Sequence, residues 1–113
     1  MEWTQARVRS FIVSGLRAAS QRWPPKFEAK NEAFVGVKIN EKTGRKAKHY
    51  KCKHCKKDFP STEIDVDHII PVVDPKTGFT TWDSFIQRLF CVKKNFQILC
   101  KSCHKTKTKK ESN

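Results

Sequence analysis

Two pairs of cysteines, each pair with two residues between its members, carry the strongest chemical signal in the sequence. The pairs are Cys52/Cys55 and Cys100/Cys103. Four thiolates in two pairs of this spacing are typical of a closed tetrahedral zinc site. The sequence therefore predicts a structural zinc ion. We expect its removal to unfold the chain, because ligand binding supplies folding free energy in sites of this kind.

Three further residues able to do chemistry lie close to the cysteine pairs in sequence, namely Asp67, His68 and His104. Asp67 and His104 make a mixed oxygen and nitrogen site, which suits Mg²⁺, Mn²⁺ or another divalent ion better than a thiolate cage does. His68 is a candidate base, because an imidazole with a pKa near neutrality accepts a proton from water at physiological pH. This combination predicts metal-assisted hydrolysis of a phosphodiester.

The adjacency of Asp67 and His68 raises a geometric difficulty. Neighbouring side chains of a regular strand point to opposite faces, so both residues can serve one site only if the strand ends or bends there. Pro71 lies close behind and is compatible with such a bend. Spacing alone also fits the alternative that His68 is a packed, hydrogen-bonded histidine and Asp67 a solvated residue.

The charge of the chain predicts a polyanionic partner. The formal net charge is +13 over 113 residues and the sequence pI is about 9.8. Charge of this size predicts attraction to nucleic acid, most simply double-stranded DNA, with solubility alone as the alternative. Candidate DNA contacts lie on a helix and on a basic loop, and each of these segments also fits a solvated surface. The candidate residues are Arg7, Arg17, Arg45, Lys46 and Lys48.

Hydrophobic periodicity and breaker residues predict the elements that must position these side chains. Residues 1–25 are expected to form a basic helical arm and residues 48–110 the core of one domain. Only 37% of the residues are hydrophobic, so the core is small and zinc is the expected staple. The expected elements are a helix over 3–23 stopped by Pro24-Pro25, an extended segment over 33–51, a strand over 62–73, a helix over 82–90, a short strand over 96–99 and a basic helix over 101–110.

The compartment is predicted from the cysteines and from the apolar runs. Four of the five cysteines are assigned to metal, and Cys91 lies in an apolar run as a buried, inert thiol. A reducing, cytoplasmic setting is therefore expected. The sequence has no apolar run long enough to span a bilayer and no secretory signal at its start, so no membrane association is expected.

A resemblance to the zinc-bearing HNH endonucleases covers about residues 50–108, and is closest to the small stand-alone HNH enzymes encoded by bacteriophages. Three strings carry it: Cys52-x-x-Cys55, Asp67-His68-Ile69-Ile70-Pro71, and Asn95-Phe96-Gln97-Ile98-Leu99-Cys100-x-x-Cys103-His104-x-x-Lys107-Thr108. Two departures are the missing Gly-rich stretch after Pro71 and Phe96 where leucine is usual. They bear on subfamily and target choice rather than on the chemistry.

The resemblance implies an α+β chain with a ββα-metal fold, two antiparallel strands and a helix around one catalytic divalent ion. It implies that His68 activates water and that Asp67 and His104 ligate the ion. The second expected catalytic residue, Asn95, would position the loop of the base through backbone hydrogen bonds. Lys107 would touch the phosphate, or would be a solvated helix lysine.

The function expected from these residues is a divalent-metal-dependent DNA endonuclease that nicks or cleaves double-stranded DNA and leaves 5′-phosphate and 3′-hydroxyl ends. A monomer or weak homodimer is expected, since one active centre cuts one strand. In a phage-encoded protein the compartment would be the host cytoplasm. The alternative is a non-catalytic zinc-ribbon module that binds nucleic acid. It explains the charge and both cysteine pairs but not the register of Asp67-His68, Asn95 and His104.

Overall fold

The computed structural model of the protein describes residues 2–112, which form four α-helices and two small antiparallel sheets. The mixed α+β class predicted from the sequence is confirmed. In chain order the elements are α1 (Gln5–Ser20), α2 (Pro24–Glu32), β1 (Phe34–Ile39), β2 (Lys46–Lys51), β3 (Asp58–Pro60), β4 (Ile64–His68), α3 (Trp82–Leu89), β5 (Phe96–Cys100) and α4 (Lys101–Ser112), with short 3₁₀ turns at Ser61–Glu63 and Lys93–Asn95.

The N-terminal helix is shorter than the sequence predicted, and a second helix follows it. Thr4 caps α1, because its hydroxyl accepts a hydrogen bond from the backbone N–H of Arg7 at 3.2 Å. The helix ends at Ser20, before the expected limit at residue 23. Pro24 and Pro25 do not simply stop a helix; they occupy the first turn of α2, where a missing N–H costs nothing. The helix α2 was missed by the sequence analysis.

The first sheet has the strand order β1-β2-β3, and the second pairs β4 with β5. The strand expected over 62–73 is only five residues long, because β4 ends at His68. Beyond it the backbone N–H of Ile69 donates to the carbonyl of Asn95 at 2.8 Å. A core cluster of Tyr50, Ile64 and Ile98 joins the two sheets. The pairing thus fixes β4 against β5 and places the end of β4 beside Asn95.

The remaining helices agree with the sequence analysis. Thr81 caps α3, with its hydroxyl accepting from the N–H of Ser84 at 3.1 Å, and Phe85 and Leu89 point into the core. Cys91 is buried after α3, and its carbonyl accepts a hydrogen bond from the indole of Trp23 at 2.7 Å. Residues 2–112 include no helix with the length and apolar character needed to cross a membrane.

Candidate functional site

The four predicted zinc ligands converge. The Sγ atoms of Cys52, Cys55, Cys100 and Cys103 all lie within 4.8 Å of one another. Tetrahedral coordination with Zn–S bonds of about 2.3 Å needs sulfur atoms about 3.8 Å apart, so small side-chain movements complete the cage. Within residues 2–112 this is the only group of three or more His, Cys, Asp or Glu ligands packed so closely. These residues can therefore hold a structural metal ion such as zinc.

Both cysteine pairs are shaped by the same local hydrogen bond. The N–H of Cys55 donates to the sulfur of Cys52 at 3.5 Å, and the N–H of Cys103 donates to the sulfur of Cys100 at 3.4 Å. The first pair lies between β2 and β3, and the second joins β5 to α4. The turn of the first pair closes through Lys56, whose φ of 65° lies in the left-handed region. Such a turn aims both sulfurs of a pair at one point.

The pKa values of the cysteine thiols are consistent with a cation bound between the four sulfurs. Burial acts to raise the pKa of Cys52, but hydrogen bonds from surrounding backbone groups outweigh it and lower the pKa to about 6. The hydrogen bond with the sulfur of Cys100, together with burial, raises the pKa of Cys103 to about 12. Four neighbouring thiolates repel one another, so full ionisation of this cluster requires a cation at its centre.

A second convergence joins β4 to α4 through Asp67 and His104. Asp67 Oδ1 lies 3.3 Å from His104 Nε2, and Asp67 is only 8% exposed. An aspartate oxygen and an imidazole nitrogen in this arrangement can both bind one divalent ion. An ion held by these two residues alone would have its other coordination positions open to water or to a substrate oxygen.

Neighbouring side chains fix both members of this pair. Asp65 Oδ2 lies 3.1 Å from Nδ1 of His104, which leaves Nε2 directed at Asp67. The amide of Gln97 donates to Asp67 Oδ2 at 2.8 Å, and the ammonium of Lys107 lies 3.2 Å from the same oxygen. The outer oxygen of Asp67 is therefore occupied, and Oδ1 remains for an ion.

Lys107 is held by several acceptors at once. Besides Asp67, its ammonium donates to the backbone carbonyl of His68 at 3.1 Å and pairs with Glu111 one helical turn later. Burial, the largest single effect, acts to lower the pKa of Lys107. The contacts with Glu111 and Asp67 together outweigh burial and raise that pKa. Lys107 thus ties α4 to the end of β4 as a charged group.

The imidazole of His68 takes a different direction from Asp67. Its Nε2 lies 3.0 Å from the carbonyl oxygen of Leu89, and its ring lies 4.8 Å from the ring of Phe96. Among residues 2–112 no hydrogen bond joins this ring to Asp67 or His104. Because a carbonyl only accepts, Nε2 carries the proton and Nδ1 keeps its lone pair. Burial lowers the pKa of His68, which keeps the ring neutral at physiological pH.

Asn95 secures the backbone that follows His68. Its side-chain oxygen accepts a hydrogen bond from the N–H of Ile70 at 3.2 Å, and its carbonyl accepts from Ile69 at 2.8 Å. Both bonds cross from the turn before β5 to the end of β4. Asn95 therefore sets the point at which β4 ends and the chain turns away.

The predicted DNA contacts are spread over the surface, and only Lys107 lies at the Asp67–His104 pair. The guanidinium of Arg7 lies 4.5 Å from the ring centre of Trp3, and that of Arg17 lies 5.7 Å from the ring centre of Phe85. The other three are found on the turn after β1 and along β2, and are Arg45, Lys46 and Lys48.

The structure adds two side chains and one carbonyl that the sequence analysis missed. Asp65 and Gln97 contact His104 and Asp67, and Leu89 holds the ring of His68. Asp65 shares a face of β4 with Asp67 by the alternation of strand side chains, so its position was readable from the sequence. The carbonyl of Leu89 gives no sequence signal, since every residue has one.

Compared with protein-family models, with curated proteins and with solved structures, the chain gives no match.

Proposed function

We propose that the protein is a divalent-metal-dependent endonuclease of the HNH type that hydrolyses phosphodiester bonds of double-stranded DNA. The observation that carries the proposal is the convergence of Asp67 Oδ1 and His104 Nε2 at 3.3 Å. A buried carboxylate and an imidazole, with Asp65 behind the imidazole, form a candidate ion site, and the residue that follows Asp67 in the chain is a histidine able to act as a base.

The local fold supports a ββα-metal unit. An antiparallel pair, β4 and β5, is followed at once by α4, and the three elements contribute Asp67, Gln97 and His104 to one cluster. The cysteine cluster joins the start of α4 to the turn between β2 and β3. A zinc ion there would hold the start of α4, which carries His104, against the β2–β3 turn.

Asp67 and His104 have the donor chemistry that the catalytic ion of this proposal needs. When bound, such an ion stabilises the negative charge that develops on the phosphate and on the leaving 3′ oxygen. Asp67 and His104 would hold it, while Gln97 and Lys107 keep the carboxylate oriented. Lys107 also places a positive charge beside the site, where a phosphate oxygen is expected.

His68 is assigned the role of general base. The carbonyl of Leu89 accepts the proton of Nε2, so Nδ1 is the atom that takes a proton from the attacking water. Asn95 holds the segment after His68 through Ile69 and Ile70 and so keeps the end of β4 in place. β4 ends at His68, but Asp67 and His68 are both still paired with β5, so the strand end does not by itself bring the imidazole to the Asp67–His104 pair.

The test is the conversion of supercoiled plasmid to nicked or linear DNA by the zinc-loaded protein, with Mg²⁺ or Mn²⁺ added or omitted. We expect cleavage only with the added ion. His68→Ala should keep zinc and DNA binding but lower the rate by about 10²–10⁴-fold, the usual contribution of a general base. His54→Ala is the histidine control, because this exposed residue lies outside the Asp67–His104 pair; its Nδ1 lies 3.5 Å from the sulfur of Cys103, so its zinc content is measured alongside cleavage. Unchanged cleavage by His68→Ala would refute the assigned role.

The same experiment distinguishes a non-catalytic module. The cysteine cluster and the charge of +13 fit a zinc-stapled protein that binds nucleic acid without cutting it. A mobility shift of DNA by the wild-type protein, with no cleavage under any added divalent ion, would favour that function over the nuclease.

A further inference from the structure

The β1–β2 hairpin has one face whose lysines are not neutralised by the protein. The register pairs Val37 with Lys48 and Ile39 with Lys46, so these four side chains share a face, here called the open face. Val37 is 57% exposed and Ile39 is 54% exposed, and both lysines are exposed. Within residues 2–112 neither Lys46 nor Lys48 forms an ion pair.

Two other lysines of this hairpin, Lys38 and Lys42, each form an ion pair with an acidic residue. Lys38, on the opposite face, pairs with Asp58 at 2.6 Å, and Lys42 in the turn pairs with Glu63. These acids come from β3, the next strand of the sheet, and from the 3₁₀ turn that follows it. The fold therefore pairs Lys38 and Lys42 with acids and leaves Lys46 and Lys48 of the open face available to a partner outside the chain.

The open face extends beyond the core. Its continuation along β2 is Tyr50, which is 5% exposed and packs with Ile64 and Ile98. Towards the turn of the hairpin, two and four residues before Tyr50, the same face carries Lys48 and Lys46, both exposed to solvent. The base of the hairpin is thus held by the core and by β3, while the outer half is a two-stranded ribbon of β1 and β2 alone.

We infer that the open face of the β1–β2 ribbon binds in the major groove of duplex DNA. This inference rests on the proposed function, since it takes double-stranded DNA as the substrate. A two-stranded ribbon fits a groove about 12 Å wide, where lysines reach phosphates and apolar side chains contact base edges such as the thymine methyl. A second copy of the chain is a poor occupant, because its open face carries the same positive charge.

The experiment measures the affinity of the full-length, zinc-loaded protein for a fluorescent 20-base-pair duplex over a range of salt concentrations, without added divalent ion. The double variant Lys46→Ala/Lys48→Ala should bind about ten-fold more weakly and reduce the slope of log affinity against log salt by about 2. The matched control is Lys38→Ala/Lys42→Ala, which removes the same charge from the same hairpin. It should weaken binding less than about three-fold and leave the slope nearly unchanged.

The apolar half of the face has its own test. Val37→Ser/Ile39→Ser should weaken binding while leaving the salt slope unchanged, because no phosphate contact is lost. Both side chains are exposed, so the thermal midpoint should stay close to that of the wild type. Duplexes with bulky sugar groups attached to cytosine in the major groove should bind poorly, whereas a minor-groove drug should not compete.

Equal losses in the two lysine variants would overturn the inference, because they would reflect net charge alone. A change of oligomeric state in place of DNA affinity, seen by sedimentation, would overturn it in favour of an interface between copies. Plasmid cleavage separates the two proposals. If the wild type cleaves with added metal while the open-face variants bind normally, the ribbon assignment fails and the nuclease stands. If the wild type neither binds nor cleaves DNA, the proposed function fails as well.

Discussion

Asp65 Oδ2 lies 3.1 Å from Nδ1 of His104, on the side of the imidazole opposite Asp67. A carboxylate in this position fixes the tautomer of a metal-binding histidine and increases the basicity of its other nitrogen. The two aspartates lie two residues apart on β4, so one strand supplies both the expected ligand and the carboxylate that orients its partner.

If the proposed function holds, Asp65→Ala is expected to weaken binding of the catalytic ion rather than to abolish cleavage. Loss of such a carboxylate typically costs 10–100-fold in metal affinity. The Mn²⁺ concentration for half-maximal plasmid cleavage should rise by about that factor, with a much smaller change in the rate at saturating Mn²⁺. Asp65→Asn keeps an oxygen that can accept from Nδ1 and should restore much of the affinity.

The control for this prediction is Lys101→Ala. Lys101 pairs with the other oxygen of Asp65 at 3.1 Å and does not contact His104. Its removal should leave the Mn²⁺ dependence unchanged. If Asp65→Ala also leaves that dependence unchanged, Asp65 does not act through the imidazole.

Removal of zinc is expected to unfold the chain. The apparent binding free energy of zinc in small structural sites is about 10–16 kcal/mol, which equals or exceeds the whole stability of about 5–15 kcal/mol of a typical domain. Cys100→Ser should lose zinc, measured by mass spectrometry, together with the cooperative thermal transition measured by circular dichroism. Cys91→Ala is the matched control, since Cys91 is buried but lies outside the cluster, and should keep one zinc per chain. A folded, metal-free Cys100→Ser variant would contradict the prediction.

The sequence predicted the site best where short motifs dictate geometry. The two cysteine pairs imply a metal site through spacing alone, and the four sulfurs meet. The convergence of Asp67 and His104 agrees with the predicted order of strand, strand and helix. The roles of His68 and Asn95 stay predictions, because the geometry alone does not measure catalysis.

The parts that the sequence did not predict depend on long-range packing or on weak local signals. The helix α2 has little amphipathic pattern, and its two prolines read as a stop, although prolines are also accommodated at helix starts. The strand β3 has three residues and is defined only by its pairing with β2. The end of β4 at His68 is set by hydrogen bonds that Ile69 and Ile70 donate to Asn95, which lies 25 residues beyond Ile70 in sequence.

Asn95→Ala should lower cleavage much more than it lowers stability. The variant loses one partly exposed hydrogen bond, to the N–H of Ile70, which is worth about 0.5–1.5 kcal/mol. The segment after His68 then loses its side-chain support, and small displacements of a base cost large factors in rate. Plasmid cleavage should fall by about 10²-fold while the urea midpoint changes little. Asn95→Asp retains an acceptor oxygen and should keep more of the rate than Asn95→Ala; equal losses in the two variants would argue against positioning through Ile70.

Lys56→Gly should stabilise the protein, because Lys56 closes the first cysteine turn with a φ of 65°. A side chain in the left-handed region costs about 1–2 kcal/mol, whereas the extra backbone entropy of glycine costs about 0.5–1 kcal/mol. The turn keeps its backbone bond from the N–H of residue 56 to the carbonyl of Cys52, so a net gain of about 0.5–1 kcal/mol is expected. Urea unfolding in excess zinc measures this change in the free energy of unfolding. Lys57→Gly removes the same charge from a neighbouring residue whose φ is not positive, so it should instead destabilise the protein. A loss of stability in both variants would show that the turn stores no strain at Lys56.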